Sequence, residues 1–165
     1  MSAIAERFIG MSCAEPRPMT LFKHILVATD FEDSSARVVD VAVEMAKTLD
    51  AKLTLLHVWE LPIYPYMDFV LTAESLALVQ EAAVKRLESG LEAVRKSFPA
   101  AESLLKGGGP WDGILEAVAE TGADLVVMGT HGRRGVRHLL LGSVAEKVVR
   151  LCPVPVLTVR PQAST

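Results

Sequence analysis

A chain of 165 residues has the length of one ordinary domain. Its 17 Lys and Arg against 20 Asp and Glu leave a formal charge of −3, without the basic surplus of a protein that coats nucleic acid. Half of the residues are hydrophobic, too many for a disordered chain, yet no window reaches the roughly 18 uncharged apolar residues of a membrane-spanning helix.

Residues 1–20 hold Glu6, Arg7, Glu15 and Arg17 with no continuous apolar core, so they do not read as a signal peptide. A flexible extension is expected there, a domain over 21–161 and a short tail at 162–165, with cytoplasmic residence. His24-Ile-Leu-Val-Ala-Thr-Asp30 is a nearly continuous apolar run, as in a parallel strand buried on both faces. Ser34 and Ser35 offer helix-cap chemistry, and Val38, Val41, Ala42, Met45, Ala46 and Leu49 follow at helical spacing. Lys52 to Trp59 reads as a second strand. Two prolines make 61–67 a loop, and in the wider 61–71 stretch Tyr64, Tyr66 and Phe69 favour packing over covering a ligand or partner.

Leu76, Val79, Ala83, Leu87, Leu91, Val94 and Phe98 form one long helical stripe that Gly90 weakens and Pro99 ends. A weaker strand spans Ala101 to Lys106, and Gly107-Gly108-Gly109 turns into a helix with Pro110 in its first turn and Ile114, Leu115, Val118 and Ala119 inward. Asp124 to Met128 is the clearest strand. A glycine-bearing loop, a short helix from Ser143 to about Leu151 and a last strand over Val154 to Val159 complete the chain. The two cysteines, Cys13 and Cys152, follow no ligand or redox spacing, and Cys152 reads as a buried free thiol. The alternation β-α-β-α-β-α-β-α-β implies a three-layer α/β domain with a mostly parallel sheet and right-handed crossovers.

In such sheets ligands bind beyond the carboxyl ends of the strands, where strand order reverses. Thr29-Asp30, His57-Val58-Trp59 and the stretch after Met128 lie at such ends. That stretch, 129–142, carries Gly129, Gly132 and Gly142 together with His131, Arg133, Arg134, Arg137 and His138, and holds no carboxylate. Glycines let backbone N–H groups approach an anion, and a helix starting just after Gly142 adds donors and a favourable dipole. The same residues also fit a plainer role: Ser143-Val-Ala-Glu146 matches a capping box, and glycines serve turns. On spacing alone both readings stand. A Walker loop and a dinucleotide-binding glycine fingerprint after the first strand are absent from the sequence.

Gly129-x-x-Gly132, nine residues, then Gly142-Ser143 resembles the G-2x-G-9x-G-(S/T) motif of the ATP-binding universal stress proteins. Lys23 to Asp30, Leu55-Leu-His-Val58, Ala123 to Gly132 and Pro153 to Val159 are similar to that family too, so the resemblance spans about 21–161. It implies a five-stranded parallel sheet of the adenine nucleotide α-hydrolase-like type, in the order 3-2-1-4-5. It also implies an adenine-nucleotide site for ATP, or else AMP or ADP. Ala28, Thr29 and Asp30 would lie by the ribose, the phosphates or a bound Mg²⁺, with Asp30 as metal ligand. Val58 would face the adenine edge; Met128, Gly129 and Gly132 would line the ribose–phosphate path. Gly142, Ser143 and Val144 would hold phosphates, with His131 and Arg133 at less fixed positions.

The family resemblance further implies a homodimer through the last strand, whose apolar edge would otherwise be exposed. The leading expectation is a nucleotide-gated stress-response regulator, in which ATP orders the glycine loop and the following helix relays that order to the dimer edge. A slow ATPase and a nucleotide-free dimeric interaction module are the alternatives. The sequence shows neither an HxGH-like histidine pair nor a Ser-His-Asp set, so no evolved catalytic site is expected. Neither nucleic acid nor membrane is expected as a partner.

Overall fold

The computed structural model describes residues 21–32, 35–60, 72–130 and 141–160. The lead-in, the 61–71 loop, the basic stretch 131–140 and the tail lie outside the described residues. The elements are β1 (His24–Ala28), α1 (Ala36–Leu49), β2 (Lys52–Trp59), α2 (Ala73–Arg95), β3 (Glu102–Gly107), α3 (Pro110–Thr121), β4 (Leu125–Gly129), α4 (Ser143–Leu151) and β5 (Val156–Val159). Every strand pair is parallel, and the order is β3-β2-β1-β4-β5.

The period of two along each central strand builds two cores. Ile25, Val27, Leu53, Leu55, Leu125 and Val127 point to one face, where Val38, Ala42 and Ala46 of α1 and Leu87, Leu91 and Val94 of α2 cover them. Leu26, Leu56, Val126 and Met128 point to the other, under Ile114, Ala117 and Val118 of α3 and Ala145 and Val148 of α4. Burial on both faces is why these strands lack polar alternation. Each fully buried Leu or Ile contributes about 1.5–3 kcal/mol relative to exposure.

Local chemistry sets the element ends. Thr72 caps α2 by accepting from Ser75 N at 3.2 Å. Asp50 and Gly122 close α1 and α3 in left-handed conformations at φ 50 and 67. Asp124 lies outside β4, and its carboxylate accepts from Lys23 N (3.1 and 2.8 Å) and His24 N (3.0 Å), tying the start of β1 to its neighbour.

Several expectations shift. β1 ends at Ala28 rather than Asp30, and β5 begins at Val156 rather than Val154, because the bonded ladder is shorter than the apolar runs. Ala119 faces solvent and Ala117 takes the core position, since the buried stripe of α3 follows Gly113, Ile114, Ala117 and Val118. Cys152 is a free thiol but only half-buried, at the end of α4. Ser35 occupies the cap position of α1, yet its side chain makes no cap bond and turns to Asp30 instead.

Candidate functional site

β1 and β4 are adjacent at the centre of the sheet, with Ala28 opposite Met128. From β1 the chain crosses to β2 on one side; from β4 it crosses to β5 on the other. The connections therefore diverge and open a crevice above the ends of β1 and β4.

On the β1 side, backbone and side chains are tied down within three residues. Thr29 N donates to Leu56 O at 3.0 Å, and the Thr29 carbonyl lies 2.9 Å from Nδ1 of the buried His57, which therefore carries the donated proton. Thr29 Oγ1 accepts from Phe31 N at 3.0 Å. Asp30 Oδ1 accepts from Glu32 N at 3.1 Å and from the Ser35 hydroxyl. Asp30 Oδ2 is buried and has no hydrogen-bond partner among the described residues. Half of this carboxylate thus caps a turn, as a strand-end Asp often does. Its other oxygen answers to nothing among the described residues, and a buried acceptor left so costs about 1–3 kcal/mol.

On the β4 side, Met128 is buried and Gly129 pairs with Val159 of β5. Thr130 N donates to Val159 O at 3.0 Å, and Gly142 N donates to Thr130 O at 2.7 Å. That second bond returns the chain to the strand end it left at residue 130, so the amino terminus of α4 stands beside the end of β4. Gly142 is the N-cap in an extended conformation, φ −73 and ψ 162, and no side chain caps the helix. The capping-box reading of Ser143 is therefore not realised; Ser143 is exposed in the first turn. The first intrahelical donor is Glu146 N, to Gly142 O at 2.9 Å. The N–H groups of Ser143, Val144 and Ala145 precede the ladder, where the helix dipole favours an anion.

The fold accordingly gathers Ala28, Thr29, Asp30, Met128, Gly129, Gly142, Ser143 and Val144 around the β1–β4 crevice. Val58 stands two residues past the β1–β2 pairing, half-buried against Gly113 of α3. His131, Gly132 and Arg133 lie outside the described residues. Ser35, Phe31, His57 and Thr130 support the site without having been singled out as site residues. Ser35 reads as an ordinary cap in sequence, and the others act through ring and backbone contacts that composition does not reveal. Among the described residues no group of three or more His, Cys, Asp or Glu side chains gathers to hold a metal unaided.

An open, doubly wound α/β domain with a polar crevice at its switch point is a ligand-binding architecture. The Universal stress protein family matches residues 21–160, and the chain belongs to that family. It is 34% identical over 155 residues to the universal stress protein YxiE of Bacillus subtilis, covering 85% of this chain and 100% of that one. It is 37% identical over 140 residues to a Thermus aquaticus universal stress protein described from the QAH/OAS sulfhydrylase 3' region, again covering 85% and 100%. Among solved structures it resembles a universal stress protein in complex with cAMP, with TM-score 0.63 and 26% identity over 86% of this chain and 99% of that one. It also resembles an Archaeoglobus fulgidus universal stress protein in complex with dAMP, with TM-score 0.57 and 25% identity over 82% and 96%.

Proposed function

We propose that this protein binds an adenine nucleotide, ATP in the first instance with AMP and ADP as further ligands, in the β1–β4 crevice, and that occupancy regulates its interactions in a stress response. The observation that carries the reading is Asp30, whose buried Oδ2 has no partner among the described residues and stands in the crevice that α4 approaches with its amino terminus. Two universal stress proteins of the same fold are known in complex with cAMP and with dAMP, which supports the ligand class. In this reading Thr29 and Asp30 meet the ribose and phosphates. Gly142, Ser143 and Val144 donate to phosphate, and Val58, Met128 and Gly129 line the adenosine, with Ala28 beneath. His131, Gly132 and Arg133 complete the set.

A single buried carboxylate suits Mg²⁺, which keeps several waters and is held by one or two carboxylates together with substrate phosphates. Asp30 would hold the ion jointly with the nucleotide, and the ion would neutralise phosphate charge there. A binding role is proposed over an evolved ATPase because the sequence carries neither an HxGH-like histidine pair nor a Ser-His-Asp set, and the cytoplasm is its proposed compartment.

Regulation would run through α4, which joins the crevice to the β5 edge, and a homodimer would form along that edge. The two sheet edges differ in a way that supports this. β3 carries Glu102 and Lys106, whereas β5 reads Val-Leu-Thr-Val without a charge, and the neighbouring Val149 and Leu151 are about half exposed. The carbonyls of Pro155 and Val159 accept from Val126 N of β4 and from Thr130 N just past its end, so alternation turns the backbone groups of Val156 and Thr158 outward.

The decisive measurement is mass spectrometry of the purified protein for co-purifying nucleotide, with titration calorimetry of ATP against wild type and Asp30→Ala. Bound nucleotide and at least about tenfold weaker ATP binding in the variant support the reading. No ATP heat at micromolar wild-type protein, with no co-purified nucleotide, refutes it. Phosphate release at steady state that Asp30→Ala abolishes while binding survives would favour the ATPase instead.

A further inference from the structure

Phe31, directly after Asp30, lies at φ 58, in the left-handed region that large side chains avoid. Something must hold it there. Its N–H donates to Thr29 Oγ1, and its ring packs tilted at 53° against buried His57 with centroids 5.1 Å apart. On its other side the ring rests on α2 at Gly90. A Cβ at residue 90 would fall 2.2 Å from Phe31 Cε1 and 2.9 Å from Cζ, so the ring occupies the space of a side chain on that helix. The glycine that weakens α2 in sequence terms therefore has a packing reason.

We infer that Gly90 is a positioning residue for Asp30: by leaving room for the Phe31 ring, it lets α2 and His57 clamp the left-handed turn that aims the Asp30 carboxylate into the crevice. The inference rests on the nucleotide reading of Asp30. A side chain at 90 expels the ring, and a recess of about 230 Å³ beside it, lined by Val39, Val43, Leu55 and Val94, gives the ring somewhere to go. With the ring gone from its clamp, its packing no longer offsets the strain at Phe31, and the local hydrogen bonds alone must hold the turn. The backbone then relaxes to negative φ, breaking the bonds from Phe31 N to Thr29 and from Glu32 N to Asp30. The effect reaches Asp30 from α2, whose Arg86 also pairs with Glu32 of the same turn at 3.9 Å.

The test is a rescue. Gly90→Ala should weaken ATP binding about fivefold to tenfold by calorimetry while the protein stays folded. Adding Phe31→Gly removes the colliding ring and installs the one residue that accepts positive φ without steric cost. The double variant should bind within about threefold of wild type yet melt below Gly90→Ala, because it also loses the buried ring. Affinity and stability then move in opposite directions, which a merely structural role for Gly90 cannot produce. Wild-type affinity in Gly90→Ala overturns the inference, and so does a double variant as weak as the single. Amide shifts of Asp30 and Glu32 in ¹H–¹⁵N spectra separate the two readings. If wild type binds no nucleotide, the functional reading falls; unmoved shifts in Gly90→Ala then overturn the positioning role as well, and moved shifts sustain it.

Discussion

Replacing Gly113 with alanine pits two effects of comparable size against each other. Gly113 is the fourth residue of α3, where alanine favours the helix over glycine by about 1 kcal/mol. An added Cβ, however, would stand 2.8 Å from Val58 Cγ1 and 3.0 Å from Cγ2, with Lys106 Cβ at 3.5 Å. The Val58 methyls must retreat by roughly half an ångström, and a β-branched side chain has no free rotamer that clears both. Overpacking of this kind costs about 1–3 kcal/mol, so the variant should lose about 1 kcal/mol net, or about 3 °C in Tm for a domain of this size. Thermal unfolding of wild type, Gly113→Ala, Val58→Ala and the double variant measures it. The double variant should show a favourable coupling of at least about 0.5 kcal/mol, because the smaller residue makes room for the new methyl. A Gly113→Ala protein as stable as wild type, or strictly additive variants, would refute the reasoning.

Three further outcomes are expected. Asp124→Ala removes three contacts from two backbone donors a hundred residues away and should cost about 2 kcal/mol, with faster amide exchange at the start of β1; no change in Tm would show the contacts to be idle. Gly122→Ala should destabilise by about 1 kcal/mol although nothing lies within 4 Å of the added methyl, since only the backbone at φ 67 objects; Gly122→Asn should cost less. Lys106 is held above its ordinary pKa chiefly by its hydrogen bond to Glu120, against a smaller opposing effect of burial. Its contribution is then complete below the ordinary lysine range and lost as pH rises through its elevated value. The Tm advantage of wild type over Glu120→Gln should therefore shrink on the alkaline side, and an advantage that persists there would contradict this.

The order of elements, the central strands and the buried stripe of α2 were legible in the sequence, because parallel strands covered on both faces must be apolar throughout and amphipathic helices must repeat at 3.6 residues. That Asp30 follows one central strand and Gly129 ends its neighbour was legible as well, the strand ends from their apolar runs and their adjacency from the family resemblance. What the sequence alone left open was decided by contacts between distant segments. Whether Ser143 caps its helix depended on Gly142 bonding back to Thr130. Whether Asp30 merely caps a turn depended on Oδ1 meeting Ser35 while Oδ2 met nothing among the described residues. Gly90, a flaw in a helix when read along the chain, acquires its purpose from a phenylalanine 59 positions earlier. Local periodicity reports which face of an element is buried; only the packed structure reports what it is buried against.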